Sequence, residues 1–206
     1  MIAIIDYGVG NLFSLKCSLA AVGAGAEVVS DPSALSSADR LILPGVGAFG
    51  DAMDKLRETG MAGALLAEAA KGKPVLGICL GMQLLFERSL EFGVHPGLGL
   101  LRGEVRPISE VIDPSLKIPH IGWNALRFIR PNPLFRDVRE GDAMYFVHSF
   151  HATGCGDSLT AVTDYSAPLA AAVMSGNVYG CQFHPEKSGT VGLSILKAFV
   201  ESEAVS

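Results

Sequence analysis
Short runs that are apolar at successive positions constrain this chain most. Ile2–Asp6, Leu41–Leu43 and Pro74–Ile78 are such runs, and Glu27–Val29 reads as a further strand between the first two. Neighbouring strand residues point to opposite faces, so a run without polar interruption needs cover on both sides. Segments of helical character lie between and after the runs. Asn11–Val22 places Leu12, Leu15, Leu19 and Val22 at helical spacing. Asp51–Lys71 is weakened in its middle by Gly60 and Gly63, and Leu80–Glu87 follows the last run. Strands alternating with helices in this way predict a parallel sheet. Right-handed crossovers would then bring the C-terminal strand ends, and any site, to one edge.

The second half changes character. "LLRGEVRPI", "NALRFI", "AMYFVHSFHA", "LTAVTDY" and "AAAVMSGNVYGCQF" all read as strands, Ser175-Gly-Asn177 is a hairpin signal, and Val191–Val200 closes as a helix. The expected fold class is α/β: a mostly parallel, flavodoxin-like central sheet with helices on both faces, plus added antiparallel strands from the second half. No repeat or linker divides residues 1–206, so a single domain is expected.

Composition excludes more than it assigns. With 206 residues, 49% of them hydrophobic, the chain can bury one substantial core. A net charge of −5 with no basic cluster leaves no footprint for nucleic acid. "MIAIIDYG" lacks the basic flank and cleavage site of an export signal, and no apolar run approaches the roughly 20 residues of a membrane span. Cys17, Cys79, Cys155 and Cys181 contain no C-x-x-C pair and read as reduced thiols of a cytoplasmic protein.

Three stretches can carry chemistry. Gly77-Ile-Cys79-Leu-Gly81 has the form of a nucleophile elbow, with cysteine where such turns often carry serine. Glycines two positions either side let strand and helix approach, and the helix N-terminus favours thiolate. The same pattern also suits a buried structural cysteine. Downstream, His184 and Glu186 flank Pro185, which disfavours helix at His184. In extended backbone, residues two apart share a face, so Glu186 can orient the imidazole of His184. A turn with a solvated His and Glu is the plainer alternative. The five histidines include one close pair, His148 and His151, without an acidic partner at ligand spacing, so no metal site is expected.

The third stretch is "LPGVGAFG", in which Gly45, Gly47 and Gly50 have G-x-G-x-x-G spacing. A dinucleotide site needs an acid about 20 positions on at a strand end. Here that region is helical and holds Glu68, so no cofactor is expected. An oxyanion hole is the better use: the Val46–Gly47 backbone opposite the N–H of Leu80. Glycines at 45 and 47 also let the Val46 peptide turn toward or away from Cys79.

Taken together, "IDYGVGNLFS", "LILPGVGAFG", "GICLGMQLLFE", "KIPHIGWN", "YFVHSF" and "GCQFHPEKSG" run nearly end to end, and in them the chain resembles the class I, triad-type glutamine amidotransferases. It is most similar to those members that serve a cyclase in histidine biosynthesis. The resemblance implies hydrolysis of L-glutamine through a thioester on Cys79, with His184 as base and acid and Glu186 orienting it. It implies glutamine contacts from Gln83 and Glu91 and from backbone at Gly47, Ser149 and Phe150, where Phe150 stands in place of the family's common tyrosine. It further implies delivery of ammonia to a (β/α)8-barrel cyclase subunit, in a heterodimer whose interface includes Asn11, Trp123 and Lys187, and a need for that partner to reach full activity. Trp123, the only tryptophan, could otherwise be a core residue. Another amidotransferase subunit, or a triad hydrolase such as a γ-glutamyl hydrolase, is the alternative.

Overall fold
Residues 1–202 are described by the computed structural model. Five helices, α1 (Leu12–Ala21), α2 (Phe49–Glu58), α3 (Met61–Ala70), α4 (Leu80–Leu84) and α5 (Gly189–Val200), pack with strands arranged in three sheets. In chain order the strands are β1 (Ile2–Ile5), β2 (Ala26–Val29), β3 (Arg40–Leu43), β4 (Val75–Ile78), β5 (Phe86–Ser89), β6 (His95–Pro96) and β7 (Leu101–Pro107). They continue as β8 (His120–Ala125), β9 (Arg127–Phe128), β10 (Ala143–His148), β11 (Phe150–Thr153), β12 (Leu159–Asp164), β13 (Pro168–Ser175) and β14 (Val178–Cys181).

The main sheet runs β2-β1-β3-β4-β14-β13-β12-β9. Its first five strands pair in parallel and the rest antiparallel, so the α/β architecture with added antiparallel strands is as expected from the sequence. The period of two along each central strand divides the core. Ala3, Ile5, Leu41, Leu43 and Val75 face one cluster, which includes Met53 and Leu56 of α2 and Leu65 of α3. Ile2, Ile4, Ile42, Leu76 and Ile78 face the other, with Leu15 and Leu19 of α1 and Ile195, Leu196 and Phe199 of α5. Unbroken apolar runs are therefore the signature of a sheet covered twice. Each fully buried Ile or Leu contributes about 1.5–3 kcal/mol.

Several sequence expectations need correction. The segment Asp51–Lys71 is two helices, because Gly60 adopts φ +77 and reverses the chain between α2 and α3. The helix expected over Leu80–Glu87 ends at Leu84, and Phe86–Ser89 forms β5, paired with β7 and β6. "NALRFI" is not one strand: Asn124 and Ala125 belong to β8, whereas Arg127 and Phe128 cross to the main sheet as β9. The hairpin at Ser175-Gly-Asn177 forms with Gly176 at φ +55, and Asn177 Nδ2 donates to the carbonyls of Ala69 and Lys73, tying the turn to the end of α3.

Two smaller sheets complete the fold, Val105 of β7 and Ala152 of β11 joining the first core cluster and Met144 and Phe146 of β10 the second. β8 and β10 form an antiparallel ribbon in which His120 faces His148 and Trp123 faces Tyr145. β11, β7, β5 and β6 form the other. No described helix is long and apolar enough to cross a membrane.

Candidate active site
β4 ends at Ile78, α4 begins at Leu80, and Cys79 lies between them at φ +56, ψ −113. For a residue with a Cβ this positive φ is strained, and such strain gathers at functional sites. The flanking glycines are what permit it. A Cβ on Gly77 would lie 2.6 Å from the Gly81 carbonyl oxygen, and one on Gly81 would lie 1.8 Å from that of Leu43. Strand β3, the turn and helix α4 thus meet backbone to backbone. The amides of the first turn of α4 have no intrahelical acceptor, which leaves the N–H of Leu80 beside the thiol.

The neighbouring strand β14 pairs in register with β4, Cys181 opposite Ile78, and carries the chain onward to His184. Pro185 holds His184 extended, at φ −99, ψ 97. The ring Nδ1–H then donates to Glu186 Oε1 at 2.8 Å, both side chains being nearly inaccessible. His184 is also pinned through its backbone. Its N–H donates to the Tyr145 carbonyl of β10 at 2.9 Å, and the His184 carbonyl accepts from Ser188 Oγ at 2.6 Å.

Burial works against a charged imidazole at His184, but hydrogen bonds and charge from Cys79 and Glu186 outweigh it and raise His184 to about 9. Near neutral pH the imidazolium form is favoured beside Cys79. The other cysteines differ. Burial raises the Cys155 thiol to about 11 and Cys181 further still, whereas Cys17 is exposed on α1.

A cleft of about 620 Å³ opens over Cys79 and His184, lined also by Val46, Gly47, Leu80, Gln83, Glu91, Ser149, Phe150 and Lys187. The residues expected to bind substrate therefore converge on it. Three of them already make hydrogen bonds there. The carbonyls of Ser149 and Phe150 are already engaged, the first by the N–H of Ile108 and the second by Gln83 Nε2 and His148 Nδ1. Glu91 is buried, and its Oε2 accepts the N–H of Phe49 at 2.7 Å. That contact caps α2, whose own N-cap residue Ala48 makes no side-chain bond. Desolvation raises the Glu91 carboxyl against the lowering influence of that N–H.

The glycines of "LPGVGAFG" have separate duties. Gly45 passes so close to Gly81 N and Tyr7 Oη that a Cβ would lie 2.9 Å from each, and Gly47 adopts φ +94. Gly50 makes room for the His95 ring, 2.8 Å from where a Cβ would stand. Tyr7 Oη donates to the Pro44 carbonyl and so anchors the start of the loop. Val46 is exposed, lining the cleft on one side and, on the other, a small void with Asn11, His184 and Glu186.

Of the expected interface residues, Lys187 and Asn11 adjoin the site and Trp123 does not line it. Trp123 is 58% exposed, which settles against a core tryptophan. Its ring meets the edge of Tyr145, over whose face Lys187 Nζ sits at 5.9 Å. The pair His148 and His151 is buried, and among the described residues no group of three or more His, Cys, Asp or Glu side chains is placed to hold a metal ion.

The sequence reading missed Tyr145 and Ser188, which fix the backbone of His184, and Gln182. Gln182 is fully buried, an amide inside the apolar run "YGCQF" and a signal in its own right.

Comparison with known proteins gives the family. Residues 3–202 match the model of the family described as "Glutamine amidotransferase class-I". The chain is 50% identical to the imidazole glycerol phosphate synthase subunit HisH of Wolinella succinogenes, over 98% of this chain and 99% of that one. It is also 50% identical to the subunit of the same name from Bacillus licheniformis, over 97% and 95%. Among solved structures, that of PurLQS from Thermotoga maritima superposes with a TM-score of 0.76 at 21% identity, covering 97% of this chain and 96% of that one.

Proposed function
Because the chain belongs to the class-I glutamine amidotransferase family, we propose that Cys79, His184 and Glu186 are the triad through which it hydrolyses glutamine. Its function is that of the glutaminase subunit of an imidazole glycerol phosphate synthase, in histidine biosynthesis. The observation that carries the triad is the strained Cys79 at a strand–helix turn, beside an imidazole held up to about 9 and hydrogen-bonded to a buried carboxylate.

Glutamine enters the cleft with its α-ammonium toward Glu91 and toward Gln83 Oε1, the Nε2 of Gln83 being occupied. The Cys79 thiolate adds to the γ-carboxamide carbon. The resulting oxyanion lies between the N–H of Leu80 and the Val46–Gly47 backbone, where fixed donors stabilise charge that develops only in the transition state. His184 then gives its proton to the departing ammonia, leaving a γ-glutamyl thioester. In the second half, His184 takes a proton from water as it attacks the thioester. Glutamate leaves and the imidazolium is restored. Glu186 holds the ring by its Nδ1–H throughout.

The partner is a (β/α)8-barrel cyclase subunit, which receives the ammonia in the cytoplasm across a surface that includes Asn11, Trp123 and Lys187. Residues 1–206 serve as one amidotransferase domain. Val46 lies between cleft and void and Gly47 has positive φ, so the peptide between them has room to turn. Docking of the cyclase and its nucleotide shifts this peptide toward the productive orientation. The test is the glutaminase rate with and without cyclase plus nucleotide, alongside peptide mapping of a glutamine-mimicking electrophile. Equal rates would remove the gating. Full activity in Cys79→Ala, or modification elsewhere than Cys79, would remove the triad.

A further inference from the structure
The side chain of Gln182 is wholly buried one residue beyond β14, and its Nε2 lies 3.8 Å from Cys79 Sγ. Which end of this amide faces the sulfur is fixed by a chain of partners that begins at a backbone carbonyl. The Phe150 carbonyl can only accept, so the Gln83 atom 3.1 Å from it is the amide nitrogen. The second hydrogen of that nitrogen points to Gln182 at 2.9 Å, which requires Gln182 to present Oε1 there. Its remaining end, the NH2, must then face Cys79. His148 Nδ1 donates to the same Phe150 carbonyl at 2.8 Å, so both lone pairs of that oxygen are filled. Turning Gln182 over would set two NH2 groups against each other in a site without water access.

We infer that Gln182 is a further catalytic residue: it holds a fixed N–H donor on Cys79 Sγ, stabilising and aiming the thiolate, while the imidazolium of His184 serves as proton donor. Titratable neighbours contribute differently. Tyr7 is kept protonated by burial and by the Cys79 charge, and donates to Pro44 instead of to the sulfur. His148 is depressed to about 3, mainly by burial, and stays neutral. Glu186 is turned to His184, which leaves His184 and Gln182 as the side-chain donors at the thiolate. A donor to an ionised acceptor is stronger than a neutral pair, and its loss from a buried site is correspondingly felt.

The inference rests on Cys79 being the nucleophile. Its test is iodoacetamide alkylation of the full chain across pH, in a Cys17→Ser background so that the exposed thiol is silent. Gln182→Glu keeps an oxygen to accept from Gln83 Nε2 but replaces the NH2 facing the sulfur by a second oxygen. Alkylation of Cys79 at pH 7 is expected to slow about tenfold, with the midpoint of its pH profile moved upward. With the cyclase present, glutaminase kcat falls while KM changes little. Gln182→Met, of similar length, is expected to slow alkylation in the same direction and serves if the charged variant does not fold. A folded variant alkylated at the native rate with the native pH profile overturns the inference. Failure of native Cys79 to be alkylated faster than an ordinary thiol would instead overturn the nucleophile assignment itself.

Discussion

Replacing Glu186 by glutamine isolates the charge of the orienting carboxylate from its shape. Glu186 Oε1 and His184 Nδ1 are 2.8 Å apart, with side chains only 5% and 4% exposed. Opposite charges about 4 Å apart at an effective dielectric of about 20 attract by about 4 kcal/mol. The amide oxygen retains a neutral hydrogen bond of about 1 kcal/mol. The difference, about 3 kcal/mol, corresponds to about two pH units. His184 would then fall from about 9 to roughly 7. The sign follows from the raised value in the folded state. The group contributes stability that is fully present below its ordinary 6.5 and is lost as pH rises through about 9. Native and Glu186→Gln proteins should therefore differ most in unfolding free energy below pH 6.5 and converge above pH 9. Catalysis follows the same proton. At pH 8 the imidazolium falls from mostly to barely populated, and glutaminase kcat with the cyclase present should drop about tenfold from this effect alone. The assay is kcat against pH for both proteins, paired with urea unfolding at matching pH. An alkaline limb of kcat unmoved in Glu186→Gln would refute the coupling.

Four further outcomes are expected. Gly81→Ala should cost more than about 3 kcal/mol in urea unfolding, or prevent folding, because its Cβ would meet the Leu43 carbonyl at 1.8 Å with no side chain able to yield. Gly47→Ala, strained only by φ +94, should cost about 1–2 kcal/mol. Glu91→Gln should raise the KM for glutamine at least tenfold with a smaller effect on kcat, and should speed amide exchange at the start of α2, because the Glu91 carboxylate caps Phe49. Acid should destabilise the protein below pH 6.5, since burial depresses His120, His148 and His151; each adds up to about 1.4 kcal/mol per pH unit, and His148→Gln should flatten the measured slope by about one proton.

What could be read from the sequence follows how local each signal is. The parallel half was legible because Ile2–Ile5, Leu41–Leu43 and Val75–Ile78 each satisfy two apolar faces within a few residues. Phe86–Ser89 was not, because Leu84, Leu85 and Phe86 are all fully buried and so short a run has no period to separate helix from strand. Cys79, and His184 with Glu186, announce themselves by glycines and a proline within two positions. The duties of Gln182 and Glu91 depend on Gln83 and Phe49, far away in the chain, and nothing adjacent to them marks the pairing. Trp123 was undecided for a related reason: only the pairing of β8 with β10 at the margin of the fold leaves its ring in solvent.

The place of β14 in the main sheet has a consequence for how the chain is made. β4 is made well before the strand that covers its open side, Val178–Cys181, with β5 to β13 between them in the chain. At about 5–20 residues per second, the intervening stretch takes roughly 5–20 s to emerge. Through that interval the nascent sheet β2-β1-β3-β4 ends in an unpaired row of N–H and C=O groups flanked by Leu76 and Ile78, the kind of edge to which other chains add. Chain release short of Val178 leaves that edge uncovered for good, so premature termination yields an aggregation-prone product instead of a smaller soluble one.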